Sequence, residues 1–171
     1  MTRQQIQKAI DLTGQIYTSQ YRGRVLRNPH GVLDSLFATR AIVALGELDR
    51  TLEPALLHAL QTARYVDARD TADASVVAGV AAKVSAAHGH SLDENAFAAK
   101  LPDDEGLANL TGDRMRKTLA RMRELSGTGV PQLLATVGDH HEVIQDGGLY
   151  GGAETVLNAI RAVTDRAFPI H

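Results

Sequence analysis

Seven histidines, His30, His58, His88, His90, His140, His141 and His171, are the side chains best suited to hold a metal or move a proton. Their spacing argues against a joint site. A zinc centre needs two or three convergent ligands, and His88-x-His90 straddles an expected helix end with no HExxH-like partner. His140 and His141 are neighbours on an expected strand, where successive side chains leave opposite faces, so both cannot line one site. The histidines therefore read as capping, surface and hairpin residues. Asp34-Ser35 opens an expected helix and reads as a cap, because a serine nucleophile needs a base that spacing does not supply. The glycines of 147-GGLYGG-152 precede a helix, but they lack both the GxGxxG register and a P-loop lysine, so they read as a helix-entry turn rather than a phosphate cradle. The charges of 113-DRMRK-117 and 121-RMRE-124 read as the solvated face of a long helix. The 171 residues include no cysteine, which removes thiol catalysis, disulfides and thiolate metal sites together. No catalytic residue, metal site or cofactor is expected.

One feature remains, the Val130-Pro131 step in 127-GTGVPQLLATVGDHHEVIQDGG-148. Proline at the first position of a strand gives up a ladder donor and is tolerated only there or at an edge. X-Pro is also the one peptide bond for which cis costs little. On spacing alone, a cis presentation loop and a trans proline that merely begins the strand are equally supported.

The elements around these residues read mostly as helix. Thr2-x-x-Gln5 has the form of a capping box, and Ile6, Ile10 and Tyr17 place a helix over 3–20. The segment 22-RGRVLRNPHG-31 reads as a loop. Leu33, Phe37, Ala41, Ala44 and Leu48 form one stripe on a helix of about 33–48. Thr51 is the expected N-cap of the next helix, whose inner face is Leu56, Leu60 and Ala63. Val76, Val77, Val80, Ala81 and Val84 mark a third buried face, ending at Gly89 in a left-handed cap. Ser91-x-x-Glu94 is expected to cap a short helix through Phe97 and Leu101 that Pro102 stops. Asp103 and Asp104 favour a new N-terminus for a long helix to about Ser126, with Leu107, Leu110, Met115, Leu119, Met122 and Leu125 along it. The grammar then changes. Gln132–Val137 and His140–Ile144 are extended runs joined by Gly138-Asp139, a two-residue hairpin signal of the II′ kind. A last helix carries Val156, Ile160 and Val163. The spacing thus predicts a mostly α chain with a C-terminal β-hairpin, an α+β fold, organised as a helical region over 1–125 and a β-containing region over 126–171.

Bulk properties narrow the partners. With 44% hydrophobic and 22% charged residues the composition is that of an ordinary globular protein. A formal net charge of -2 gives no electrostatic footprint for nucleic acid or an anionic membrane surface. The N-terminal MTRQQIQKAI has no apolar h-region, and no apolar run approaches the ~18 residues of a membrane span. The expected location is the cytoplasm.

In order, 12-LTGQIYTSQY-21, 33-LDSLFATRAIVAL-45, 59-ALQTARYVDARDTAD-73, 76-VVAGVAAK-83 with Phe97, 129-GVPQLL-134 and 148-GLYGG-152 resemble the later part of the DsbA-like branch of the thioredoxin superfamily. The resemblance spans nearly the whole chain. It implies a partial thioredoxin-like fold with a DsbA-type helical insertion, a cis Pro131, and a role related to thiol-disulfide oxidoreductases and protein disulfide isomerases. It carries substrate binding over to Val130 and Pro131 alone, where the backbone before the proline would pair with a peptide or protein substrate as a short added strand. The family's strand-CxxC-helix-strand unit has no counterpart in these residues, so the chain as it stands is expected to be redox-inactive. Met1 is then an internal methionine of a longer protein, a chosen boundary, or the true start of a remnant. A two-stranded hairpin is marginal alone, so rearranged helices or a second copy of the chain, as a homodimer, should cover it. Two alternatives follow. One is a non-catalytic peptide-binding or assembly module using the Val130-Pro131 loop or the hairpin edge. The other is a relative of the glutathione-dependent 2-hydroxychromene-2-carboxylate isomerases and kappa-class transferases, against which 149-LYGGAE-154 lacks that group's Trp and Asp-Arg pair.

Overall fold

The computed structural model describes residues 17–25, 34–124, 133–144 and 152–167. They comprise a π-helical turn (Tyr21–Val25), α1 (Leu36–Leu48), α2 (Leu52–Tyr65), α3 (Ala74–Ala87), α4 (Glu94–Asp103), α5 (Glu105–Glu124), β1 (Leu133–Val137), β2 (His140–Ile144) and α6 (Ala153–Ala167). The chain divides into two compact units, residues 1–115 and 116–171.

In the first unit, α1 to α4 enclose one core. Leu45, Leu52, Leu56, Val77, Ala81 and Leu101 are all at most 1% exposed, and Phe97 and Leu107 complete the cluster. Each large side chain buried in this way contributes about 1.5–3 kcal/mol before entropy is counted. The faces of α2 and α3 follow the expected spacing. The face of α1 follows it in part: Ala41 is fully buried and Phe37 and Ala44 pack against the core, but Val43 and Leu45 are buried as well, while Leu48, assigned to the stripe by spacing, is 53% exposed at the helix end. On α5, Leu107 and Thr111 face inward, and Leu110, Met115 and Leu119 remain exposed.

Aspartates set the helix starts. Asp73 accepts from Ser75 N–H at the head of α3, Asp93 from Ala96 N–H at the head of α4, and Asp104 from Leu107 N–H at the head of α5. The α4 start thus differs from the expected Ser91-x-x-Glu94 box: Asp93 is the cap and Glu94 the first helical residue. Thr51 flanks α2 as expected, but its side chain does not cap. Its amide and hydroxyl both donate to Asp49 Oδ1, each at 2.8 Å. Pro102 does not stop α4, which continues to Asp103. A proline in a last turn forfeits one amide bond, and the Arg40 guanidinium takes up the carbonyls of Leu101 and Pro102 at 2.5 and 2.9 Å. Residues 22–25 are helical rather than loop. Gly89 adopts φ +80°, the left-handed conformation expected of it.

In the second unit, β1 and β2 pair antiparallel, from Leu133 opposite Ile144 to Val137 opposite His140. Gly138 has φ +60° while Asp139 keeps negative φ, as a II′ turn requires. Helix α6 covers one face of the hairpin: Val163, 1% exposed, packs with Ala135 and Ile144, flanked by Leu133, Val137 and Ala159. Arg166 fastens that side by donating to both Glu142 oxygens at 2.6 and 3.1 Å. Ile160, assigned to the same face by spacing, is 37% exposed. Among the described residues the sheet has these two strands.

Candidate functional site: a groove beside the hairpin

The face of the hairpin opposite α6 lines a groove of about 370 Å3. Its other wall is the C-terminal half of α5. Lys117, Thr118, Arg121 and Met122 share one side of that helix because residues three and four apart stack on one face. From the sheet come Leu133, Leu134 and Val143. Leu134 and Val143 are direct cross-strand partners, so they form one apolar platform. The next pair on that face, Thr136 and His141, is joined by a 3.1 Å contact between Oγ1 and Nδ1.

The groove's floor is aliphatic and thioether, and its rim carries Lys117 and Arg121, the latter 3.4 Å from Glu124. Strand edges beside an apolar platform can take an extended chain, with main-chain bonds giving affinity and the platform reading side chains. Val130 and Pro131, the residues singled out by sequence for substrate binding, lie outside the described residues. Leu133 follows Pro131 by two positions in the chain.

The other sequence candidates fall in local roles. His88 Nδ1 lies 2.8 Å from the Val84 carbonyl at the end of α3, and His90 Nε2 lies 3.6 Å from Asp49 Oδ2. Asp34 caps α1 by accepting from Leu36 N–H at 2.8 Å, whereas Ser35 makes no side-chain cap bond. Gly152, at φ +90°, opens α6 and its carbonyl accepts from Val156 N–H, while 147–151 lie outside the described residues. The charges of 113–117 are not all solvated: Arg114 leaves that face to bond both carboxylate oxygens of Glu53. Among the described residues, no group of three or more His, Asp or Glu side chains is placed to share a metal ion, and no helix is long and apolar enough to cross a membrane. Spacing did not single out the groove, because α5 and β1 are separated by residues whose path periodicity cannot supply. The apolar run 133-LLATV-137 was its one visible trace.

A mostly helical chain with a two-stranded antiparallel sheet is consistent with an α+β DsbA-like fold. No protein-family model and no curated protein matches the chain. Among solved structures it is similar to the cytosolic disulfide reductase DsbM from Pseudomonas aeruginosa, with a TM-score of 0.73 and 25% sequence identity over 97% of this chain and 75% of that one. The likeness supports a DsbA-like, thioredoxin-like relationship.

Proposed function

We propose that these residues are the substrate-docking body of a DsbA-like thiol-disulfide oxidoreductase and carry no redox chemistry of their own. The observation that carries this reading is the absence of any cysteine from a chain similar over 97% of its length to a disulfide reductase. Disulfide exchange proceeds by thiolate attack on sulfur, so these residues hold no group that can begin it. What they offer is a partner surface: the groove floored by Leu134 and Val143, together with the Val130-Pro131 backbone to which the resemblance gives peptide pairing. The thiols act from another segment or another chain. The test is reduction of insulin by dithiothreitol with and without the pure chain. An unchanged lag is expected; acceleration by the chain alone would sink the reading.

The two strand edges, which no other described strand extends, favour a second reading, a non-catalytic peptide-binding or assembly module. In that case a second copy or an extended peptide completes the sheet. Light scattering separates the two forms, because assembly through the edge gives a dimer, whereas docking of peptide leaves a monomer that retains the peptide.

A further inference from the structure

A second cleft, of about 320 Å3, lies within the first unit between α1 and α2, independent of the groove. Ala38 and Ile42, one turn apart on α1, form one apolar wall, and Leu57 and Leu60 of α2 form the other. The lining also carries the polar groups of Gln61, Arg64, Tyr65 and Thr71. The volume is at the small end of the ~300–1,000 Å3 typical of ligand pockets, and apolar walls with a few convergent polar groups are their usual lining.

Arg64 is what gives the cleft a ligand class. Its Nη1 donates to the Thr71 hydroxyl at 2.8 Å, and the guanidinium also acts on the neighbouring Tyr21 phenol, where burial raises the pKa and the guanidinium opposes that rise. Thr71 is 5% exposed and Tyr21 3%, so both partners are fixed. Tyr21 is held in turn by edge-on packing against Tyr65, with ring centroids 5.2 Å apart. Both partners of the guanidinium are neutral oxygens. Among the described residues no carboxylate lies within ion-pair distance of Arg64. A guanidinium has five donors in a planar fork that matches a carboxylate, and charges withdrawn from water are normally paired. The arginine is therefore oriented and partly desolvated, and its charge has no counterion among the described residues. Asp34, the one acid on the lining, accepts from the Leu36 amide.

We infer that this cleft binds a small amphipathic monocarboxylate, its head on Arg64 and its aliphatic or aryl body between Ala38, Ile42 and Leu60. Asp34 on the same lining disfavours a second negative charge, so dicarboxylates of the same length bind more weakly.

The probes are octanoate, 1-octanol, octylamine and octanedioate, titrated into the full chain and followed by amide chemical shifts and calorimetry. Octanoate should shift the amides of α1 and α2 that line the cleft and bind at least about tenfold more tightly than octanol, the margin of a charge-assisted bidentate contact. Arg64→Gln should reduce octanoate binding to the octanol level, with Arg64→Lys between the two. Leu57→Glu alters a wall residue that is 47% exposed, so it should leave the fold intact while weakening octanoate by charge repulsion. That variant decides the matter should Arg64→Gln unfold. Octanoate binding no tighter than octanol or octylamine, shifts confined to other elements, or indifference to Leu57→Glu would each overturn the assignment.

Discussion

Arg114 on α5 grips both carboxylate oxygens of Glu53 on α2, with Nη1 2.8 Å from Oε1 and Nη2 against Oε2. Sixty-one positions separate the two residues. The Glu53 side chain is only 16% exposed, and Arg50 stands 4.0 Å away on its open side. Hydrogen bonds from the guanidinium hold the Glu53 carboxyl below its ordinary 4.5, against the opposing effect of partial burial. Because the folded-state pKa is depressed, the pair's stabilisation is fully present above about pH 4.5 and is lost as pH falls through the lower folded value. Glu53→Gln should therefore cost about 1–2 kcal/mol near neutrality, the range between exposed and better-shielded bidentate pairs. Urea denaturation at a series of pH values should show the wild-type advantage closing in acid; a gap that stays constant to pH 3 would assign the effect to packing.

The same carboxylate explains a glycine inside a helix. A Cβ at Gly46 on α1 would lie 2.0 Å from Glu53 Oε1. Glycine in a helix interior ordinarily costs about 0.5–1 kcal/mol relative to alanine. Gly46→Ala should nevertheless destabilise the protein, because the carboxylate must leave Arg114. In a Glu53→Ala background the obstruction is gone, and Gly46→Ala should then stabilise by about 0.5–1 kcal/mol, the helix-propensity gain alone. The sign change in a double-mutant cycle is the measurement; the same sign in both backgrounds would refute the contact.

Asp73 is the clearest of the three aspartate caps. Its carboxylate accepts from both the amide and the hydroxyl of Ser75, at 2.8 and 2.7 Å. Those bonds, the hydroxyl's first, hold it below its ordinary 3.8. Asp73→Ala should lower stability by about 1 kcal/mol, whereas Asp73→Asn, an equally good cap, should lose much less. The depressed pKa makes the carboxylate's contribution present above about pH 3.8 and lost below its folded value, so the penalty of the alanine variant should shrink in strong acid. Thermal melts of both variants at pH 7 and pH 2.5 check this.

Local signals carried much of this fold. Gly138-Asp139 between two extended runs predicted the hairpin because only a glycine takes the positive φ a II′ turn needs at its first position, and Gly89 marked the end of α3 for the same reason. Apolar spacing located α2 and α3 and their buried faces. It misassigned Leu48 and Ile160, which are exposed. Periodicity identifies an apolar stripe, but what covers that stripe is decided by other elements. Pro102 was read as a stop because its cost is local, while the compensation from Arg40 comes from sixty-one and sixty-two positions away. The cleft at Arg64 and the groove at Leu134 were illegible for the same reason: each is assembled from segments whose meeting is tertiary.

The docking reading makes a demand on the platform formed by Leu134 and Val143. Both face the groove, away from the Ala135–Ile144–Val163 cluster that joins the hairpin to α6. Val143→Lys should therefore leave that cluster and the melting temperature nearly unchanged, since the new side chain can carry its amine to water along the groove. It should still weaken an extended apolar peptide by at least about tenfold, because the peptide would have to desolvate an ammonium beside Lys117 and Arg121. Fluorescence anisotropy of a labelled, reduced cysteine-containing peptide measures this. Val163→Lys is the contrast. That residue is 1% exposed, so the variant should melt early and lose its peptide only through unfolding. Equal peptide affinity for wild type and Val143→Lys would move the docking surface off this face and onto the strand edges, where main-chain bonds rather than side chains hold the partner.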